Sequence, residues 1–222
     1  MKIISILRRF PFTNFLYKKF HIEERVRFYH ERNQMADFAK KGDGVIEYIH
    51  AVLKQSGNDF FIDAGTLIGI YRDGQLLKRD MDVDIAVKVN DQKDAFKIRK
   101  LLQENGFILK IMFRTSKDGL IQDAFDYNGI RVDLCYFKSS IKNDYCHILF
   151  DDNKIAKMTF SKIEATKLYK YKNQNVYIPM DTEKYLEERY GKKWRKPDPY
   201  FKYWKAPCVT IEEGKGICEF NK

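Results

Sequence analysis

The stretch from Asp63 to Val87 narrows the fold more than any other part of the chain. A Gly65-Thr66 turn opens a short apolar segment, Leu67 to Arg72, and three alternating acids then run straight into the β-branched sequence Val83 to Val87. Strand side chains repeat every two residues, so an extended backbone sends Asp80, Asp82, Asp84 and Ala86 one way and Met81, Val83, Ile85 and Val87 the other. One face is carboxylate and the other is core.

A chain of 222 residues can bury a substantial core and reads as one domain with elaborations, or a domain plus a small appendage. Its formal net charge of +10 favours anionic partners such as phosphates, nucleotides, acidic membranes or nucleic acid. Cys135, Cys146, Cys208 and Cys218 lack C-x-x-C spacing, so free thiols in a reducing compartment are expected, with Cys208 and Cys218 the one pair worth checking. Arg8 and Arg9 interrupt what would otherwise resemble a signal peptide, and no later segment is long and apolar enough to span a bilayer. A cytoplasmic protein is expected, with the basic and apolar residues 1–20 either packed on the domain or docked on an anionic inner membrane face.

Residues 22–41 have the narrow apolar stripe of a helix, Gly42-Asp43-Gly44 breaks it, and a second helix follows from Val45 to about Gln55. Phe60-Phe61-Ile62 reads as a buried strand, and Leu67 to Arg72 as a helix ended by Asp73-Gly74. A fourth helix begins after Asn90-Asp91 and stops at Gly106, and an apolar strand covers Phe107 to Phe113. Lys154 to Ser161 fits a strand or a loop. Leu168 to Tyr171 and Val176 to Pro179 resemble two short strands, Asp181 to Tyr190 a capped helix, and the last thirty residues an extended surface wrap.

Asn128-Gly129 between two strand-like runs is the strongest short hairpin signal, and a two-residue turn sets Asp126 opposite Arg131 and Ala124 opposite Asp133. A cross-strand Asp126–Arg131 ion pair is expected. With Ile130, Val132, Leu134 and Tyr136 on the apolar face, Asp133 repeats the logic of Asp82 and Asp84. Acids at i and i+2 of a strand sit roughly 7 Å apart on one face, and a third on a neighbouring strand lies about 5 Å away. Such a cluster repels itself unless a hard cation joins it. Asp82, Asp84 and Asp133 therefore point to a Mg²⁺ site, with Mn²⁺ as the alternative, and to chemistry at phosphorus. Asp133 could complete the metal shell or act as general base; Asp80 is either a third ligand or an ordinary residue before the strand, and is grouped with substrate contacts. Gly65 and Thr66 are candidate phosphate donors, and Arg72, Lys78 and Arg79 candidate neutralising charges.

These residues carry a resemblance. Gly-Thr-Leu-Ile-Gly-Ile-Tyr-Arg72, Asp80-Met-Asp-Val-Asp-Ile85, Arg-Val-Asp133-Leu and Tyr185-Leu-Glu-Glu-Arg-Tyr-Gly-Lys-Lys-Trp194 resemble, in order, the signature of the LicD phosphotransferase family, within the nucleotidyltransferase-fold superfamily. Lys78-Arg79 stands where the family commonly has Pro-Trp, which bears on donor contacts rather than on the metal. The resemblance implies an α+β fold: a nucleotidyltransferase-like mixed β-sheet flanked by helices, with a helical N-terminal extension and an extended C-terminal segment. It divides the chain into a basic arm and helices (1–57), a catalytic core (58–150) and a C-terminal elaboration (151–222). It implies a CDP-linked donor such as CDP-choline or CDP-ribitol, and a glycan or lipid-linked saccharide acceptor of a capsule or lipopolysaccharide type. Nucleic acid is not an expected partner. Transfer of a nucleotidyl group from an NTP is the competing reading.

Overall fold

The computed structural model describes residues 33–115 and 119–221. The arm of residues 1–20 and the first part of the helix expected from Ile22 lie outside the described residues. A helix at 33–53 (α1) leads to β1 (Phe60–Ile62), α2 (Ala64–Asp73), β2 (Asp82–Lys88), α3 (Gln92–Glu104) and β3 (Ile108–Thr115). There follow β4 (Leu120–Tyr127), β5 (Ile130–Ser139), β6 (Asn143–Phe150), β7 (Lys154–Ser161), β8 (Thr166–Tyr171), β9 (Gln174–Pro179), α4 (Thr182–Tyr190) and β10 (Val209–Phe220).

The sequence places a break at Gly42-Asp43-Gly44, whereas α1 runs through it. Each glycine costs a helix about 1 kcal/mol relative to alanine. Tertiary bonds offset that cost: the Asp43 carboxylate accepts from the Tyr171 hydroxyl (2.8 Å) and Lys172 Nζ (2.5 Å), and Gln174 Nε2 donates to the Asp43 carbonyl (3.0 Å). Gly42 serves packing, since a Cβ there would stand 2.7 Å from Leu76 Cδ1.

Eight strands form one mixed sheet in the order β1-β2-β5-β4-β3-β10-β7-β6, and β6 pairs back onto β5. Six strands therefore close a circuit, with β2 and β1 extending from β5. In this sheet β2 and β5 run parallel and the other pairings are antiparallel. The sheet and its flanking helices make an α+β fold. The expected surface wrap of the last thirty residues is corrected: β10 bonds to β7 through Val209–Ile211 and to β3 through Gly216–Phe220. Gly216 permits the crossover, because a Cβ there would collide with Leu149. Lys154–Ser161 is a strand, and the β8–β9 turn uses two residues, Lys172 and Asn173, so that β9 starts at Gln174 rather than at Val176.

The β4–β5 hairpin turns on Asn128 (φ +54°) and Gly129 (φ +80°) and has the expected register, Asp126 opposite Arg131 and Ala124 opposite Asp133. The expected Asp126–Arg131 ion pair does not form. Arg131 forks instead onto Asp133, two residues along its own strand face, at 2.7 and 2.8 Å, while Asp126 accepts from the Gly129 amide at 3.2 Å. The Asp133 side chain is only 12% exposed, and a carboxylate that far from water gains more from a two-point guanidinium bond than an exposed one does. All four cysteines are free, so Cys208 and Cys218 do not pair.

Val83, Ile85 and Val87 of β2 and Val132 and Leu134 of β5 are buried, as are Ile98 and Leu102 of α3. His50 ties α1 to the rest: its Nδ1 bonds to the Ile46 carbonyl at 2.9 Å and its Nε2 accepts from the Tyr177 amide at 3.2 Å. That pattern requires the neutral Nδ1–H tautomer. Burial lowers its pKa to about 4. The unfolded chain therefore binds the extra proton between the unfolded value near 6.5 and about 4, and His50 loses stability for the fold as pH falls through that window, by about 3 kcal/mol in total. In urea unfolding at pH 7.5, 6 and 4.5, the stability difference between wild type and His50→Gln should shift by about this amount in favour of the variant at low pH. A constant difference would contradict the neutral assignment.

Candidate active site

β1 delivers the chain to a tight turn in which Asp63 is extended and Ala64 takes φ +41°, a conformation that favours glycine and costs an alanine on the order of 1 kcal/mol. The turn wraps the start of β2. Asp63 N–H donates to the Asp84 carbonyl (2.9 Å), Asp84 N–H to Thr66 Oγ1 (2.9 Å), and the Gly65 and Thr66 amides to Asp84 Oδ2 (3.0 and 3.4 Å). The unpaired amides at the N-terminus of α2 thus hold a carboxylate of the protein itself. Gly65 and Thr66 were expected to face a phosphate; here they orient Asp84. A Cβ on Gly65 would collide with Asp80 Oδ2 and stand 3.3 Å from Asp84 Oδ2, so the close approach requires glycine.

Asp80, Asp82 and Asp84 each offer a carboxylate oxygen, and these three atoms lie within 4.8 Å of one another. Asp80 precedes β2 rather than lying in it, yet the turn through Leu77 and Asp80 folds it back into the cluster. Parallel register sets Asp84 beside Asp133 and Asp82 beside Arg131. Asp133 stands outside the trio, both its oxygens bonded to Arg131. Burial pushes the Asp80 carboxyl up to about 7, with the Asp82 charge adding to it. Asp84 lies well above the carboxylate range through burial and the charges of Asp82, Asp80, Asp133 and Asp63. Asp133 is raised by burial and by Asp82, against the opposing pull of Arg131.

The residues fit a divalent cation. Asp80 Oδ2 is buried without a hydrogen-bond partner among the described residues, and an all-oxygen trio in which burial and neighbouring charge raise the Asp80 and Asp84 carboxyls is relieved by a hard positive ion.

The expected basic residues fare differently. Arg72 is engaged by both Asp73 oxygens at 2.8 Å and by the Trp194 carbonyl at 3.3 Å, and so ties α2 to the segment after α4. Lys78 and Arg79 are exposed next to Asp80. The sequence reading missed Arg131 and the buried trio behind the turn, in which Asp63 Oδ1 accepts from the Tyr185 hydroxyl (2.6 Å) and Arg189 (3.0 Å). Arg131 was findable, since residues i and i+2 of a strand share a face; Tyr185 and Arg189 share a helix face, but their partner is more than 120 residues away.

Acids on two parallel neighbouring strands, behind a glycine turn that opens a helix, define a nucleotidyltransferase-type site. The family model described as LicD/FKTN/FKRP, nucleotidyltransferase domain, matches residues 57–190, and the chain belongs to that family of transferases. Relatives include the ribitol-5-phosphate transferase FKTN of Mus musculus, 25% identical over 79% of this chain and 37% of that protein. Those of Macaca fascicularis and Homo sapiens are each 23% identical over 77% of this chain and 36% of theirs. The chain thus spans little more than a third of the length of these relatives.

Gly65→Ala tests the architecture. Because the collision is with the movable end of a side chain, melting temperature should stay within a few degrees, while calorimetric Mg²⁺ affinity falls about tenfold or more. Unchanged affinity would remove Gly65 from the site.

Proposed function

We propose that the protein is a Mg²⁺-dependent phosphotransferase that moves a phospho-alcohol from a CDP-activated donor to a hydroxyl of a cell-surface glycan or its lipid-linked precursor. Ribitol phosphate is the preferred group, because the relatives carry that name, and phosphocholine is the alternative. The observation that carries the reading is the trio of carboxylates with an orphaned Asp80 oxygen, set beside a fourth acid that remains outside it.

Asp80, Asp82 and Asp84 would hold the ion, which when bound neutralises diphosphate charge and favours the leaving group. Asp84 is fixed before any substrate arrives by the Gly65 and Thr66 amides, so little reorganisation remains at the moment of reaction. Asp133, raised from its ordinary value chiefly by burial, suits a base that takes the proton of the acceptor hydroxyl, with Arg131 orienting it. Lys78 and Arg79, exposed beside Asp80, would meet donor phosphate.

Two variants separate ligand from base. Asp84→Asn should weaken Mg²⁺ binding and abolish transfer, whereas Asp133→Asn should retain Mg²⁺ binding and lower kcat by about 10²–10⁴-fold. Loss of metal affinity in Asp133→Asn would return that residue to the metal shell. Product analysis tests the reaction itself: CDP-ribitol or CDP-choline with Mg²⁺ and a glycan acceptor should release CMP, and chelation should stop it. Pyrophosphate release from an NTP, with no CMP from either CDP compound, would establish nucleotidyl transfer instead.

A further inference from the structure

The segment between α4 and β10 is an Ω-loop with a built basic face. Its two ends meet: a Cβ on Gly191 would stand 3.7 Å from Pro207, and the Tyr190 and Phe201 rings lie 4.8 Å apart. Three successive turns shape it, closed by Lys196 N–H to the Lys193 carbonyl (2.9 Å), Phe201 N–H to the Asp198 carbonyl (3.3 Å) and Lys205 N–H to the Lys202 carbonyl (2.8 Å). Trp194 is buried against the Tyr71 side of α2, and Trp204 stacks on Phe150 at 6.1 Å. Aromatic rings thus anchor the loop inward, as in compact loops that pack on their own side chains.

The charge on its outward side is almost all positive. Lys192, Lys193, Arg195, Lys196, Lys202 and Lys205 are exposed, against the one exposed acid of the loop, Asp198. Glu183 offsets Arg195 at 2.6 Å, which leaves a surplus of positive charge on the other five. The Tyr190–Phe201 ring contact brings the two limbs of the loop together, with Lys192 shortly after one ring and Lys202 directly after the other. Tyr200, at the tip between Pro199 and Phe201, is 86% exposed, an amphipathic ring that nothing among the described residues covers.

We propose that this loop is a docking surface for an anionic lipid bilayer. Clustered lysines gain attraction to acidic headgroups, and a tyrosine at a projecting tip suits the headgroup region, where one end of the ring is apolar and the other wet. A bilayer is favoured over nucleic acid because the loop offers one strongly exposed ring, Tyr200, at its tip rather than the series of rings on which successive bases stack. The loop residues are other than the basic residues 1–20 of the sequence. That it also presents a lipid-linked acceptor to the carboxylates rests on the transferase reading; membrane binding does not.

Co-sedimentation of the full chain with phosphatidylcholine vesicles, with and without about a third phosphatidylglycerol, tests the proposal. Binding should require the anionic lipid and weaken with salt. The triple variant Lys192→Glu/Lys193→Glu/Lys196→Glu should lose at least about tenfold in partitioning, and Tyr200→Ser a smaller share, with circular dichroism and melting unchanged. CMP release with a soluble acceptor should be unaffected, so failure of docking and failure of the transferase reading are told apart. Equal partitioning of wild type and the triple variant, equal binding to neutral vesicles, or tighter binding to an RNA oligonucleotide than to anionic vesicles would each overturn it.

Discussion

Mutual repulsion among carboxylates is the constraint on which the structure depends. Asp80, Asp82, Asp84 and Asp133 are drawn together by strand alternation, parallel register and one returning turn, and none of them gains stability from the others. The fold answers each charge separately. Asp84 receives two amides at the start of α2, Asp133 receives the Arg131 fork, and Asp80 and Asp84 are pushed toward holding a proton. Around this strained centre the rest is over-determined, with Asp63 clamped from behind by Tyr185 and Arg189 and the apolar faces of β2 and β5 fully buried.

What the sequence makes legible is what local chemistry decides. Asn128-Gly129 fixes a turn whose two positive φ angles few other pairs adopt, so the register of β4 and β5, and with it the placement of Asp133, follows from six residues. The alternation of Asp82 and Asp84 with Val83 and Ile85 is likewise a property of one strand. The family signature extends this legibility to the transferase class, and the match over residues 57–190 bears it out.

What the sequence hides is decided by partners far along the chain. Gly42-Asp43-Gly44 has the composition of a break, and only Tyr171, Lys172 and Gln174 make it helical. Arg131 could reach Asp126 or Asp133, and the difference in burial between them is invisible before the sheet exists. Val209 to Phe220 contains Glu212, Glu213 and Gly214 where a strand pattern would alternate, so its role between β3 and β7 is a fact of topology rather than of propensity. Asp80 belongs to the trio through the turn before β2, which no strand periodicity describes.

The closed circuit of strands has a consequence for how the chain acquires its shape. β3 and β7 are joined by a strand that follows β7 by almost fifty residues, so until residues 209–220 arrive each presents an unpaired edge. Open edges recruit other chains, and closing a loop of that length is entropically slow. Of the carboxylate strands, β5 pairs early through the β4–β5 hairpin, and β2, which lies outside the circuit, has its partner as soon as β5 is made. Synthesis from the N-terminus would therefore assemble the reactive end of the molecule first and leave its most aggregation-prone interval to the last dozen residues of the sheet.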